Sequence, residues 1–159
     1  MAGPIETEVK LRWANEAASA QRMLEKHGYP MVAPRTLESD QLFDRADSEL
    51  RRSGRLLRLR RSGTHATVTH KGPVAAGPYK SREEIEFDVS DPDAFIQVLD
   101  RLGYTGGFRY EKQRTKFARP GEPGIVTIDE TPIGVFMELE GPSEWIDQSR
   151  KPMPALTIH

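Results

Sequence analysis

The sequence contains no cysteine, which excludes disulfides, thiolate nucleophiles and cysteine-ligated metals. Its few histidines are scattered along the chain without the spacing of metal ligands. Serine and threonine show no arrangement with a histidine and an acid that indicates an activated nucleophile. These absences exclude several classes of catalytic site before any residue is placed on an element.

A long hydrophobic run is also missing from the sequence. No stretch approaches the roughly 18 consecutive apolar residues of a membrane span, and the N-terminus lacks a basic-then-apolar signal pattern. We therefore expect a cytoplasmic protein without a membrane partner. Its 159 residues are enough for a single domain, 1–159, with its own hydrophobic core.

Neither sign of charge is in excess. Lys and Arg number 23 and Asp and Glu 24, so the formal net charge is −1 although 30% of the residues are charged. A nucleic-acid-binding domain normally carries a clear basic excess, and we expect no nucleic-acid partner. The balance still allows a local basic site that acidic residues elsewhere compensate.

What the sequence does have is charge that alternates along predicted strands. In the first predicted strand, 5–11, Glu6, Glu8 and Lys10 share one face, because successive side chains of a strand point to opposite sides. Buried charges are costly unless they are paired or coordinate something. A carboxylate pair beside a lysine suits a metal ion bound together with a phosphate chain. A solvated edge strand is the alternative interpretation.

The same alternation recurs in most of the other predicted strands. Capping and glycine signals predict two clear helices and a short third one. The proline-containing segments 30–39 and 150–154 are predicted as irregular connections. The predicted strands are 5–11, 39–44, 55–61, 65–71, 81–89, 110–117, 125–129 and 135–140, and the helices 15–27, 90–102 and 143–149.

The charged strand faces form a cationic set and an anionic set. If the strands curl into a barrel with these faces inward, a polyphosphate would satisfy the cations, since Arg offers phosphate a bidentate fork and Lys a point charge. Mg²⁺ or Mn²⁺ would satisfy the carboxylates. An ordinary half-buried sheet with its polar faces outward is the alternative. The cations are Lys10, Arg58, Arg60, Lys71, Arg82, Lys112 and Arg114; the anions are Glu6, Glu8, Glu84, Glu86, Asp129, Glu138 and Glu140.

The motif Glu6-x-Glu8-x-Lys10 resembles the signature of the CYTH superfamily, the triphosphate tunnel metalloenzymes. The resemblance extends over about residues 5–141 in the family's order. It implies an α+β fold in which an eight-stranded antiparallel β-barrel, the triphosphate tunnel, is flanked by helices. The further matching segments are Leu57-Arg58-Leu59-Arg60, Thr69-x-Lys71-Gly72-Pro73, Arg82-x-Glu84-x-Glu86, Glu111-Lys112-x-Arg114, Asp129 and Phe136-x-Glu138-x-Glu140-Gly141.

The resemblance also implies a role for each charged position. Lys10, Glu6 and Glu8 would be the catalytic residues. For any single position a plain ion pair with a neighbouring charge is the alternative. The implied substrate-binding residues are Lys10, Arg58, Arg60, Lys71, Arg82, Lys112 and Arg114. The implied ligands of Mg²⁺ or Mn²⁺, or residues supporting them, are Glu6, Glu8, Asp129, Glu138 and Glu140, with Glu84 and Glu86 completing the acidic lining.

Two reactions fit such a site. The segments 102–104 and 110–114 resemble class IV adenylate cyclases. Conversion of ATP to cyclic AMP and pyrophosphate is therefore the first hypothesis. The acidic motifs on the strands 81–89 and 135–140 are more similar to the phosphohydrolases, so hydrolysis of inorganic, thiamine or nucleoside triphosphate is the alternative. A non-catalytic polyphosphate-binding module is a third hypothesis.

The remaining expectations concern partners and the end of the chain. The partner is a triphosphate small molecule, and a homodimer would be unsurprising. The segment 142–159 is short compared with the family, whose members commonly fold a final segment over the tunnel mouth. We therefore expect a more open ligand site than is usual in the family.

Overall fold

The computed structural model describes residues 3–154 and 156–159, which contain nine strands and four helices. The strands outnumber the predicted eight by one short C-terminal strand. The strands are β1 (Ile5–Trp13), β2 (Met31–Asp44), β3 (Leu56–Ser62), β4 (His65–Lys71), β5 (Lys80–Asp88), β6 (Thr105–Phe117), β7 (Ile125–Thr131), β8 (Gly134–Glu140) and β9 (Thr157–Ile158). The helices are α1 (Ala17–Lys26), α2 (Glu49–Arg52), α3 (Pro92–Arg101) and α4 (Ser143–Arg150).

The helix signals in the sequence predicted both α1 and α3, although α1 begins after Glu16 without the side-chain cap expected at residue 15. The Asp91 carboxylate accepts a hydrogen bond from the Ala94 amide at 3.0 Å and so caps α3. Gly28 and Gly103, just beyond the two helices, have φ angles of 84° and 88°. This left-handed conformation favours glycine and ends both helices as predicted.

The segment 30–39, predicted as irregular, contains part of a strand, and a further unpredicted strand lies beyond the segment 150–154. β2 begins at Met31 and includes Pro34, since a strand tolerates proline where the ladder needs no donated N–H. Beyond the last prolines, β9 pairs antiparallel with β1, Leu11 lying opposite Ile158. Prolines therefore limited these strands less than the sequence indicated.

The chain groups into two compact units, which we describe separately. The first unit consists of residues 3–5, Leu37–Ala76 and Ser81–Glu111. Its antiparallel strands follow the order β5-β4-β3-β2. One face packs against α3 around Phe43, Leu59, Ala66, Val68 and Leu99. The polar residues between these positions therefore lie on the opposite face of the strands.

The second unit consists of Glu6–Thr36, Gly77–Lys80 and Lys112–His159. Its antiparallel strands follow the order β6-β7-β8-β1-β9. The apolar face of these strands packs with α1 and α4 in the larger of the two hydrophobic cores. Its largest fully buried side chains include Leu11, Leu24, Phe117, Met137 and Ile146.

No helix among the described residues is long and apolar enough to cross a membrane.

Candidate functional site

Three carboxylates meet at one end of the β1–β8 pair in the second unit. Glu8 lies directly opposite Glu140, and Glu6, two residues earlier in the sequence, is on the same face of β1. Ligand oxygens of the three side chains lie within 4.8 Å of one another. Like charges placed opposite each other on antiparallel strands destabilise the pairing. Clustered carboxylate oxygens are the ligands that Mg²⁺ and Mn²⁺ prefer, so these residues fit a divalent cation.

A tightly bonded ion-pair network adjoins this face of the second unit. The Arg114 guanidinium donates bidentate hydrogen bonds of 2.7 Å to both oxygens of Asp129 and a third, also 2.7 Å, to Glu138. The Lys112 ammonium lies 3.3 Å from Asp129, whose side chain is fully buried. Asp129 therefore orients both cations, and Glu138 orients Arg114 as well.

Lys10 completes the charged face of the second unit. It lies opposite Glu138 across the β1–β8 pair. Its ammonium sits 4.9 Å from the centre of the buried Phe136 ring, which limits the positions that the side chain can adopt. The predicted catalytic lysine thus lies beside an aromatic ring, on the strand pair that also carries Glu138.

In the first unit, Arg60 is surrounded by two acids that the sequence analysis did not select. The guanidinium donates two 2.8 Å hydrogen bonds to Asp40, directly opposite on β2, and lies 3.3 Å from Glu38. Burial by itself would raise the pKa of the Asp40 carboxyl, but the hydrogen bonds and positive charge of Arg60 outweigh burial and hold that pKa below its usual value. Arg60 is consequently part of a buried ion-pair network.

Arg58, two residues earlier on β3, has weaker bonding. Its side chain is buried, the Nη2 atom makes one long hydrogen bond of 3.4 Å to Thr69, and Nε has no hydrogen-bond partner. A buried cationic donor left unsatisfied is costly. Arg58 is therefore the better placed of the two arginines to receive an anion.

The remaining predicted residues lie on β4 and β5 of the first unit. The buried Lys71 ammonium is 3.7 Å from the Glu84 carboxylate, directly opposite on β5. Glu86 is exposed and accepts a 3.0 Å hydrogen bond from Thr69. Arg82 shares the face of Glu84 on β5 and is partly buried. Within this unit the acids face cations or hydroxyls.

The structure thus brings together a subset of the predicted metal ligands. Glu6, Glu8 and Glu140 form the acidic cluster, whereas Asp129 and Glu138 contact cations in the same unit. In the first unit, Glu84 lies near Lys71 and Glu86 accepts a hydrogen bond from Thr69. Their assignment as metal ligands stays a prediction, as do the roles of the cations.

Asp40 and Glu38 are the residues of this charged face that sequence reasoning missed. Both lie on β2, the first of them within a segment that was predicted as a strand, 39–44. Their alternation with Gln41 is ordinary for a half-buried strand, and only the pairing of Asp40 with Arg60 reveals the ion pair. The available signal in the sequence was the position of Asp40 close to the apolar residues Leu42 and Phe43 of the same strand.

Comparison with known proteins is consistent with this geometry. Residues 4–150 match the model of the CYTH domain family. A protein of the archaeon Methanocaldococcus jannaschii named "putative adenylate cyclase" is 28% identical over 137 residues, which are 86% of this chain and 76% of that protein.

Solved structures show the same fold. A structure from Vibrio parahaemolyticus described as a "putative adenylate cyclase" superposes with a TM-score of 0.78 at 21% identity, covering 94% of this chain and 84% of the other. A Hippeastrum protein, described as a "putative adenylyl cyclase" with a dominant triphosphatase activity, has a TM-score of 0.68 at 16% identity, covering 93% and 84%.

These likenesses confirm the predicted fold class, α+β with an antiparallel eight-stranded β-barrel and flanking helices. The family match extends over nearly the whole length of the chain. The chain belongs to the CYTH domain family.

Proposed function

We propose that this protein is a divalent-metal-dependent enzyme that acts on triphosphates, with cyclisation of ATP to cyclic AMP and pyrophosphate as its reaction. The observation that carries the proposal is the cluster of Glu6, Glu8 and Glu140 on the strand pair that also holds Lys10. Acidic side chains alone would bind a metal ion, and basic side chains alone would bind an anion. A metal–triphosphate complex needs both on one face.

The proposed roles follow the surroundings of each residue. Glu6, Glu8 and Glu140 hold Mg²⁺ or Mn²⁺. Asp129 and Glu138 orient Arg114, so that its guanidinium meets phosphate oxygens in a defined position. In the first unit, Arg58 has an unsatisfied donor for the same purpose. The full proposed set of phosphate-binding residues is Lys10, Arg58, Arg60, Lys71, Arg82, Lys112 and Arg114.

Cyclisation requires positioning and charge neutralisation more than a covalent intermediate. The ribose 3′-oxygen forms a bond to the α-phosphorus while the bond to the bridging oxygen breaks. Pyrophosphate leaves with the electron pair, and the hydroxyl proton passes to a carboxylate, for which Glu6 and Glu8 are the candidates. Lys10 and its neighbouring cations stabilise the charge on the leaving group. A bound divalent cation would neutralise phosphate charge and orient the attacking oxygen.

Hydrolysis is the second candidate, because the same residues would orient water toward the terminal phosphorus. It is supported by the first unit, where the buried Lys71 lies 3.7 Å from the Glu84 carboxylate of β5. A site rich in charge at the phosphate end accepts any triphosphate, whether inorganic or organic.

A product assay tests the proposal. The purified chain is incubated with ATP or inorganic tripolyphosphate and Mg²⁺ or Mn²⁺, and the products are separated by chromatography. Cyclic AMP with pyrophosphate establishes the cyclase, and orthophosphate without cyclic AMP establishes the triphosphatase. Tight binding without turnover of either compound would overturn the enzyme proposal in favour of a binding module.

Glu8→Gln identifies the acidic cluster as the metal site. We expect metal-dependent turnover to fall by about a hundredfold or more, since the variant loses one charged oxygen ligand. The melting temperature should stay the same or rise, because Glu8 repels Glu140 in the metal-free protein.

The matched control is Glu111→Gln, on the exposed face of β6. Its turnover should equal that of the wild type. Equal activity of Glu8→Gln and wild type at every metal concentration would remove the acidic cluster from the site.

A further inference from the structure

Phe108 is the most exposed large hydrophobic side chain among the described residues of the chain. Its exposed fraction is 68%. The ring is tilted by 35° against that of Tyr110, with the centroids 5.5 Å apart. The two residues before it, Gly106 and Gly107, have no side chains to cover it. An open aromatic pair therefore stands at one end of the first unit's part of β6.

This aromatic pair lies on the charged face of the first unit. The Tyr110 hydroxyl interacts electrostatically with Asp40, the carboxylate that also binds Arg60. Arg109 lies between the two rings in sequence and contacts the side chain of Gln41. Since Gln41 and Asp40 are adjacent on β2, they face opposite sides, and both rings share the side of Asp40.

Tyr110 is fixed by its surroundings. Burial and the negative charge of Asp40 raise the pKa of the Tyr110 hydroxyl, which therefore stays protonated and remains a donor. Phe108 leans against the Tyr110 ring and offers its other side to solvent.

We propose that Phe108 and Tyr110 form a platform on which the base of a nucleoside triphosphate stacks. This inference rests on the proposed function, to which it adds the residues that hold the base of the nucleotide. The charge of Arg58 acts on both Asp40 and Tyr110, so a buried cation with an unsatisfied Nε lies near the platform. A planar ring beside an under-bonded guanidinium on one face matches a molecule with an aromatic head and an anionic tail.

The platform selects nucleotides over inorganic triphosphate without choosing among bases. Every base has a π-face, and stacking contributes about 1–3 kcal/mol per base in proteins that bind nucleic acids. One such contact corresponds to a change in Kd of about 5-fold to 150-fold. We therefore expect adenine and guanine nucleotides to depend on Phe108 to a similar extent.

Titration calorimetry on the whole chain tests this inference. The ligands are inorganic tripolyphosphate and an ATP analogue with methylene groups at both bridging positions, which blocks turnover. Phe108→Ala should lower the affinity for the analogue about tenfold or more and leave the affinity for tripolyphosphate unchanged. Phe108→Trp should bind the analogue at least as well as wild type, whereas Phe108→Leu, apolar but not planar, should resemble Phe108→Ala.

Phe87→Ala is the matched control. Phe87 is also half exposed, at 51%, but it lies opposite Val68 of the hydrophobic core and packs edge-on against Phe95 of α3. Its removal should leave both affinities unchanged. The inference would be overturned if Phe108→Ala bound the analogue as tightly as wild type does. An equal loss of affinity for the analogue and for tripolyphosphate would also overturn it.

Two outcomes separate this inference from the proposed function. If wild type binds tripolyphosphate and the analogue equally well, the platform is refuted while the triphosphate site stands. If wild type binds neither ligand, the proposed function fails and the platform with it. A change in oligomeric state of Phe108→Ala in light scattering, with unchanged affinities, would assign the ring to a contact between copies.

Discussion

Arg58 and Arg60 lie two residues apart on β3, yet their surroundings differ. Arg60 has a bidentate partner in Asp40, while Arg58 has one long hydrogen bond to Thr69. An arginine already bonded to a carboxylate offers fewer donors to a phosphate. Of the two arginines, Arg58 therefore makes fewer strong hydrogen bonds within the protein than Arg60.

Asp40→Asn tests this distinction. Removing the Asp40 charge takes the bidentate partner from the partly buried Arg60, and we expect a loss of about 3 kcal/mol in the free energy of unfolding at pH 7. The pKa of Asp40 is below its ordinary value of 3.8 in the folded protein, so its stabilisation is present above that value. It disappears as the pH falls through the lowered pKa. Urea unfolding between pH 2.5 and 7 measures the difference.

The control for this experiment is Asp88→Asn. Asp88 lies in the same row across the strands, but it is exposed and accepts its hydrogen bond from the Thr67 hydroxyl. We expect a loss below about 1 kcal/mol. A loss for Asp40→Asn that stays constant over the whole pH range would contradict the ion-pair interpretation.

At the level of elements, strand register arranges the charges into rows. Asp129 of β7 lies opposite Arg114 of β6 and opposite Phe136 of β8. On the next row of that face, Glu138 lies opposite Lys10. Cross-strand partners on one face are within reach of each other, so antiparallel pairing converts a sequence alternation into ion pairs.

Asp44 shows how a single side chain organises the connection between β2 and β3. Its carboxylate accepts hydrogen bonds from the amides of Arg45, Leu50 and Arg51 at 2.7, 2.9 and 3.0 Å. The amides of Leu50 and Arg51, in the first turn of the short helix α2, have no intrahelical partners. Asp44→Ala should therefore lower the free energy of unfolding by about 1–2 kcal/mol.

Urea unfolding and amide hydrogen exchange at Leu50 and Arg51 measure this loss. Asp47→Ala is the comparison, since Asp47 is exposed and accepts a longer backbone bond, 3.2 Å, from Glu49. We expect it to change stability by less than about 0.5 kcal/mol. Identical losses for the two variants would mean that Asp44 does not cap the connection.

At the scale of the whole molecule, the near-zero net charge conceals faces that carry dense charge of both signs. Each unit holds buried cations whose acidic neighbours keep them compensated without a ligand. A ligand that binds only the folded chain raises its stability by mass action. The charged faces should therefore respond to a polyphosphate.

Tripolyphosphate should raise the melting temperature of the wild-type protein. At a concentration one hundred times its Kd the stabilisation is about 2.7 kcal/mol, or about 5–10 °C for a chain of this size. Differential scanning calorimetry measures the shift, with sulfate at matched ionic strength as the control anion. Arg58→Gln should show a smaller shift, and an equal response to sulfate would indicate general salt stabilisation.

Much of this protein could be predicted from local patterns. Gly28 and Gly103 marked helix ends because a left-handed residue disfavours a side chain, and the alternation of Glu6, Glu8 and Lys10 marked a charged strand face. The start of β2 was predicted too late because Pro34 outweighed the extended pattern around it.

The pairing of charges could not be predicted in the same way. Asp40 forms its ion pair with Arg60, twenty residues away in the sequence. The exposed position of the Phe108 side chain is likewise not visible in the composition. A shift of one residue in register would turn every side chain of a strand to the other face. Long-range register is set by the packing of both cores and lies outside any local window.

The sequence by itself determined the family, the alternation of charged and aliphatic strand faces and the positions where helices end, since these depend on residues close together in the chain. The tertiary structure alone decided which carboxylates meet each other and which meet a cation. Glu8 faces Glu140, whereas Asp129 faces Arg114. The physical reason is that carboxylates of one chemical kind differ only in what the register places opposite them.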